Sequence, residues 1–219
     1  MDNSRETINQ SATVKSSAAR LFYVIGPSGA GKDSVMNLIR DHWSQHIVIA
    51  HRYITRDAGA GNENHVALSQ REFTQRKEKC LFALDWQANG YCYGIGCEVD
   101  TWLKKGVDVM VNGSRAHLKQ AQQRYGSALV PVVITVESEI LKSRLIARGR
   151  ESLQEIEQRL IRAKQLNQQR IEGAILLDNS GCLEQTIEVF NVYYQQRLEA
   201  SDRLSFNEPL ALNEALDES

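Results

Sequence analysis

The chain has 219 residues, with 26 Lys+Arg against 27 Asp+Glu, a net charge of -1 and 42% hydrophobic residues. This is ordinary globular composition, long enough to bury a sizeable core, and the balanced charge argues against a strongly basic nucleic-acid binder. No apolar run reaches the roughly 20 residues that span a bilayer, so neither nucleic acid nor membrane is expected as a partner. Residues 1–19 are a polar leader without the apolar stretch of a signal peptide. The four cysteines make no C-x-x-C pair, and reduced thiols in a cytoplasmic protein are expected.

LFYVIG at 21–26 is a short apolar, β-branched and aromatic run stopped by Gly-Pro, which predicts a buried strand. GPSGAGKDS follows, and then VMNLIRDHW, with Val35, Leu38, Ile39 and Trp43 at helical spacing. IVIAHRYITR at 47–56 reads as a second strand. GVDVMVNG at 106–113, PVVITVES at 131–138 and AILLDNS at 174–180 supply three more. Helical segments at 114–125, 139–148 and 152–172 separate them. Alternating strands and helices predict an α/β fold, a parallel sheet with helices on both faces. Ser152 and Glu155 form an S-x-x-E capping box at the start of the last of these helices. His42 and His46, one turn apart, read as a polar helix end, because no third metal ligand is near in sequence. From Ser201 onward the chain carries five acids and one base. This tail is either a loose end or a short amphipathic segment around Leu210, Leu212 and Leu216.

Residues 26–32, GPSGAGK, fill the G-x-x-x-x-G-K frame of a phosphate-binding P-loop. Gly26, Gly29 and Gly31 permit backbone angles closed to other residues and keep side chains out of the phosphate path. Pro27, Ser28 and Ala30 complete the loop, whose N–H groups converge on a phosphate at the positive end of the following helix. Lys32 adds a cation for the β- and γ-phosphates. The residue after the lysine, normally Ser or Thr, is Asp33, followed by Ser34. A carboxylate beside a triphosphate is repulsive unless a cation lies between them. Either Asp33 holds Mg²⁺, directly or through water, or Ser34 replaces the missing hydroxyl. Asp33 is the favoured metal residue, and its alternative role is to stabilise the helix dipole.

Beyond this loop the sequence resembles the guanylate-kinase-like group of P-loop kinases, and within it the ribose 1,5-bisphosphate phosphokinases of phosphonate breakdown. The resemblance runs from about 21 to about 194. It is carried by GPSGAGKDS with its Asp33, ITR at 54–56, NENH at 62–65, FALDWQANGYCYGIG at 82–96, VNGSR at 111–115 and RLIARGRES at 144–152. It implies a P-loop nucleoside-triphosphate-hydrolase fold at 20–198, with an acceptor-binding insertion at about 50–96 and an arginine-rich lid at about 142–165, followed by an acidic tail at 199–219. It implies ATP and ribose 1,5-bisphosphate as substrates, Mg²⁺ as cofactor and 5-phospho-α-D-ribose 1-diphosphate as product. Guanylate kinases carry T-R-x-x-R-x-G-E, whose two arginines hold the acceptor phosphate. Here Arg56 is kept and Gly59 stands at the second arginine position. The incomplete guanine site weakens GMP as acceptor. A sugar bisphosphate offers phosphates and hydroxyls instead, for which Arg52, Arg56, Glu63, Tyr93 and Asn112 are the candidate partners. Tyr93 also reads as a core tyrosine, Trp86 as packing, and Glu63 and His65 equally as polar loop residues.

The segment 142–170 carries eight bases and three acids. Arg144 and Arg148 are one turn apart, Arg148 and Arg150 flank Gly149, and Arg159 follows on the next helix. This resembles a lid that closes its arginines over the transferred phosphate, with Lys32, Arg148, Arg150 and Arg159 as the catalytic set. Two other functions remain open: a guanylate kinase acting on GMP, and a non-catalytic module of the same fold that binds a phosphopeptide or partner. A homodimer is left open too.

Overall fold

The computed structural model describes residues 18–59, 63–168 and 170–206. Most of the polar leader, positions 60–62 with Gly61 and Asn62, and the tail with Leu210, Leu212 and Leu216 lie outside the described residues. The elements run β1 (Leu21–Ile25), α1 (Lys32–His42), β2 (Ile47–Ala50), β3 (Arg52–Ile54), β4 (Val66–Ala67), α2 (Gln70–Glu78), β5 (Phe82–Ala88), β6 (Tyr91–Gly96), α3 (Glu98–Lys104) and β7 (Asp108–Asn112). They continue with α4 (Leu118–Tyr125), β8 (Leu129–Thr135), α5 (Ser138–Arg148), α6 (Leu153–Gln168), β9 (Ile175–Asp178) and α7 (Leu183–Phe206). The last helix thus continues past position 198.

Five strands form a parallel sheet in the order β2-β7-β1-β8-β9. β1 is central and every one of its residues is buried, because helices cover both faces. Phe22 and Val24 face one core with α1, α5 and α7. Leu21, Tyr23 and Ile25 face the other with α3 and α4. On the first face Phe22 meets Phe190 and Tyr194 of α7 edge-on, at 5.1 and 5.8 Å. Trp43, between His42 and His46, packs on Tyr194 at 4.8 Å and donates to Asn191 at 2.9 Å, so the two histidines mark a packed helix end. Among the described residues no group of three metal-ligating side chains and no helix long and apolar enough to cross a membrane is present. All four cysteines are free.

The expected single strand at 47–56 is two strands. β2 pairs in parallel with β7, and after His51 the chain leaves for a second sheet, order β4-β3-β6-β5, where β3 pairs antiparallel with β6. β5 and β6 form a hairpin closed by Asn89 and Gly90, both at positive φ (51° and 78°), as a two-residue turn of this type requires. The helix expected at 114–125 opens as a 3₁₀ turn at Arg115–His117, and the one expected to 172 stops at Gln168. α5 ends at Gly149 in the left-handed conformation (φ 64°). The capping box forms reciprocally: Ser152 N–H donates to Glu155 at 2.8 Å and Glu155 N–H to Ser152 Oγ at 3.3 Å. The parallel sheet therefore aims the loop after β1 at the same crevice as the second sheet and the α5–α6 pair, outside the carboxyl ends of the strands.

Candidate active site

The phosphate loop sits between β1 and α1, and two of its glycines answer to different constraints. Gly31 has φ 81°, a left-handed backbone, and a Cβ there would stand 2.5 Å from Asn179 Nδ2. Gly26 is not at positive φ. It is small because a Cβ would stand 2.6 Å from the carbonyl oxygen of Ile134 on β8, so the reason at this position is space rather than backbone angle. Gly29 lies at φ 90°. Pro27 and Ala30 are buried and Ser28 is exposed. Ala30 N–H closes the turn on Pro27 O at 3.2 Å.

Lys32, first residue of α1, folds its ammonium back over the loop and donates to Gly26 O at 3.0 Å and Pro27 O at 3.1 Å. Burial, and then the charge of Arg52, push it down to about 8. Asp33 follows, half-buried, and accepts from Asn112 Nδ2 at 2.9 Å. Asn112 ends β7, is 5% exposed, and its Oδ1 is buried without a hydrogen-bond partner. Asn112 was expected among the acceptor residues; its amide instead bonds Asp33, the residue that follows the phosphate loop. Ser34 is exposed one position on. This donor set fits a hard divalent cation, which takes carboxylate and amide oxygens: Asp33 is the carboxylate, and Asn112 contributes an unsatisfied amide oxygen beside it.

Across from the loop, Arg52 of β3 forms a bidentate pair with Glu63. Arg56 reaches the same carboxylate at 3.5 Å and His65 Nδ1 at 3.4 Å. Burial raises the Glu63 carboxyl, but the Arg52 hydrogen bonds and the neighbouring positive charges outweigh it and leave Glu63 below its ordinary value. The Arg52 guanidinium also lies over the Tyr93 ring, 5.0 Å from its centre. Tyr93 stacks on Trp86 at 5.6 Å with planes 5° apart, and Trp86 stacks on His117 at 5.9 Å. Arg52, Arg56, Glu63 and Tyr93 are thus brought together.

The lid arginines converge on one acid. Arg148 pairs with Glu151, and Arg159 reaches the same oxygen at 3.4 Å. The Glu151 side chain is only 6% exposed. Arg150 lies exposed beside Gly149. Three further residues belong to the site. Arg144 Nη1 is buried without a hydrogen-bond partner and lies 3.9 Å from where a Gly31 Cβ would stand. Its signal was its place one turn before Arg148. Asn179, at the carboxyl end of β9, donates to Ala30 O at 2.7 Å and is 4% exposed. Its signal was a polar residue where a buried strand meets the crevice. Glu151 had none, since an acid in a basic segment reads as solvated.

A guanylate kinase family model matches residues 18–196. The chain belongs to the guanylate kinase family. Its relatives include a ribose 1,5-bisphosphate phosphokinase of Enterobacter lignolyticus, 52% identical over 78% of this chain and 89% of that protein. One of Yersinia pestis with the same name is 53% identical over 77% and 88%. Among solved structures, a guanylate kinase from Anaplasma phagocytophilum superposes with a TM-score of 0.61 at 17% identity, covering 84% of this chain and 88% of that one. That likeness is one of fold.

Proposed function

We propose that this family member transfers the γ-phosphoryl group of Mg·ATP to the 1-phosphate of ribose 1,5-bisphosphate, giving 5-phospho-α-D-ribose 1-diphosphate and ADP. An oxygen of the acceptor phosphate forms the new bond to the γ-phosphorus as the bond to the β–γ bridging oxygen breaks. The acceptor is already anionic near neutral pH, so no strong general base is needed. The work is positioning and charge neutralisation.

Gly26 to Lys32 hold the ATP phosphates, with Arg144 beside them. Arg52 and Arg56 receive an acceptor phosphate through planar bidentate geometry. Arg148 and Arg159, with Arg150, close over the transferred group and exclude water that would otherwise take it. Asp33 and Asn112 would hold Mg²⁺, which when bound neutralises charge on the β- and γ-oxygens.

The observation that carries the acceptor assignment is the column Arg52–Tyr93–Trp86–His117. The aromatic rings stack on one another with an arginine over the outer face, so the chain's own side chains fill the stack. The two relatives named as ribose 1,5-bisphosphate phosphokinases support the same reading. An ADP-release assay with each acceptor tests it. Turnover is expected with ribose 1,5-bisphosphate and only a trace with GMP. Robust turnover of GMP alone would overturn the assignment.

A further inference from the structure

P-loop enzymes commonly hold their divalent cation between a loop Ser or Thr hydroxyl and a carboxylate on a nearby strand. Both groups differ here. The loop position is Asp33, and β7, whose Asn112 lies in register with Val24 of β1, ends in an amide. The two side chains meet, with Asn112 Nδ2 donating to Asp33 Oδ1 at 2.9 Å. This fixes which way the amide faces, because its carbonyl oxygen turned toward the carboxylate would oppose two acceptors. The cost of that orientation is the buried Asn112 Oδ1, which finds no hydrogen-bond partner. Such an orphan in a side chain only 5% exposed is unfavourable without a ligand to satisfy it.

We propose that Asn112 is the positioning residue of the Asp33 carboxylate, and that the pair is a charge-swapped cation site with the acid on the loop and the neutral amide on the strand. This rests on the reading that Asp33 serves Mg²⁺. The swap conserves charge: hydroxyl plus carboxylate and carboxylate plus amide both total −1. It also explains why the strand residue is not an acid. Two carboxylates 2.9 Å apart would repel, whereas the amide both avoids that and pins a side chain that the first turn of a helix leaves to its own rotamers.

The test is calorimetric titration of the full chain with a non-hydrolysable ATP analogue over a series of Mg²⁺ concentrations. Asn112→Leu is expected to weaken the Mg²⁺ response about tenfold, as loss of a supporting hydrogen bond to a metal ligand does. Asp33→Ser should weaken it at least as much. The double variant Asp33→Ser with Asn112→Asp rebuilds the usual hydroxyl and carboxylate pair and is expected to recover what Asp33→Ser loses. A purely structural role for Asn112 does not give that recovery. If Asp33→Asn abolishes the response while Asn112→Leu leaves it intact and the double variant is no better than Asp33→Ser, the swap is wrong and the Asp33 reading stands. If Asp33→Asn leaves the response intact, both are wrong. Should Asn112→Leu fail to fold, the double variant decides alone, since Asn and Asp are nearly isosteric.

Discussion

Gly31→Ala tests how the phosphate loop is held. Gly31 sits at φ 81°, and a left-handed residue with a Cβ costs about 1–2 kcal/mol. The added Cβ would stand 2.5 Å from Asn179 Nδ2, which donates to Ala30 O at 2.7 Å in a buried setting. Asn179 must yield, and breaking a buried hydrogen bond costs about 1–3 kcal/mol. Reduced freedom of the unfolded chain returns about 0.4–1 kcal/mol. The expected net loss is about 2–4 kcal/mol in a denaturant titration without nucleotide. In an Asn179→Ala background the clash is gone and only the backbone strain remains, so the same substitution should cost about 1 kcal/mol. The double-mutant cycle should therefore show a coupling of roughly 1–3 kcal/mol. Additivity within about 0.5 kcal/mol would refute the contact as the thing that keeps position 31 glycine.

Arg148→Ala should lower kcat about 10²–10³-fold, the range for losing one transition-state donor, with a small change in the KM for ATP; steady-state kinetics check this, and an unchanged kcat removes Arg148 from the lid's chemistry. Glu63 is held below its ordinary 4.5 in the fold, so its contribution is full above that value and lost as pH falls through the lower folded one. Glu63→Gln should thus lose stability near neutral pH and show a shallower acid limb below about pH 4.5; parallel acid-unfolding curves would contradict it. Asp108, with a side chain 5% exposed, accepts from Arg197 at 2.8 and 3.1 Å, from Tyr194 at 2.6 Å and from Arg20 N–H at 2.7 Å. Arg197→Met should cost about 3–5 kcal/mol, measured by chemical denaturation, because it leaves a buried charge short of its partner.

The parts of the fold that could be read in advance were those whose signals are local. A buried strand, a glycine loop and an amphipathic helix fall within 21–43, and each constrains the next. The break at His51 was not legible, because the residues on either side look equally strand-like and differ only in their partners, β7 for Ile47–Ala50 and β6 for Arg52–Ile54. The hairpin was legible in principle through Asn89-Gly90, whose positive φ angles suit no β-branched pair. Site residues divide the same way. Lys32, Arg56 and Arg148 stand in motifs. Asn179 and Arg144 reach the loop only through long-range packing. Asn112 was visible as a polar end to a buried strand, but its partner, 79 positions away, was not.

The two acids of the site share an arrangement that bears on how it works. Glu63 takes Arg52 and Arg56, and Glu151 takes Arg148 and Arg159. Each group keeps a net charge of +1. Lys32 is lowered to about 8 chiefly by burial, with Arg52 and Arg148 adding to the shift and Asp33 and Glu63 opposing it, so Glu63 also offsets positive charge at the loop. The acids hold the arginines in place before substrate arrives, so the ordering of long side chains is settled in folding rather than in binding. An incoming phosphate meets an ordered, still positive fork, and it competes with a carboxylate for the outer hydrogen bonds. That competition favours dianionic phosphates over singly charged groups, because only the larger charge outweighs the acid it displaces. In the reaction proposed above, this property would serve both ends, the acceptor on the Arg52 side and the transferred group on the Arg148 side.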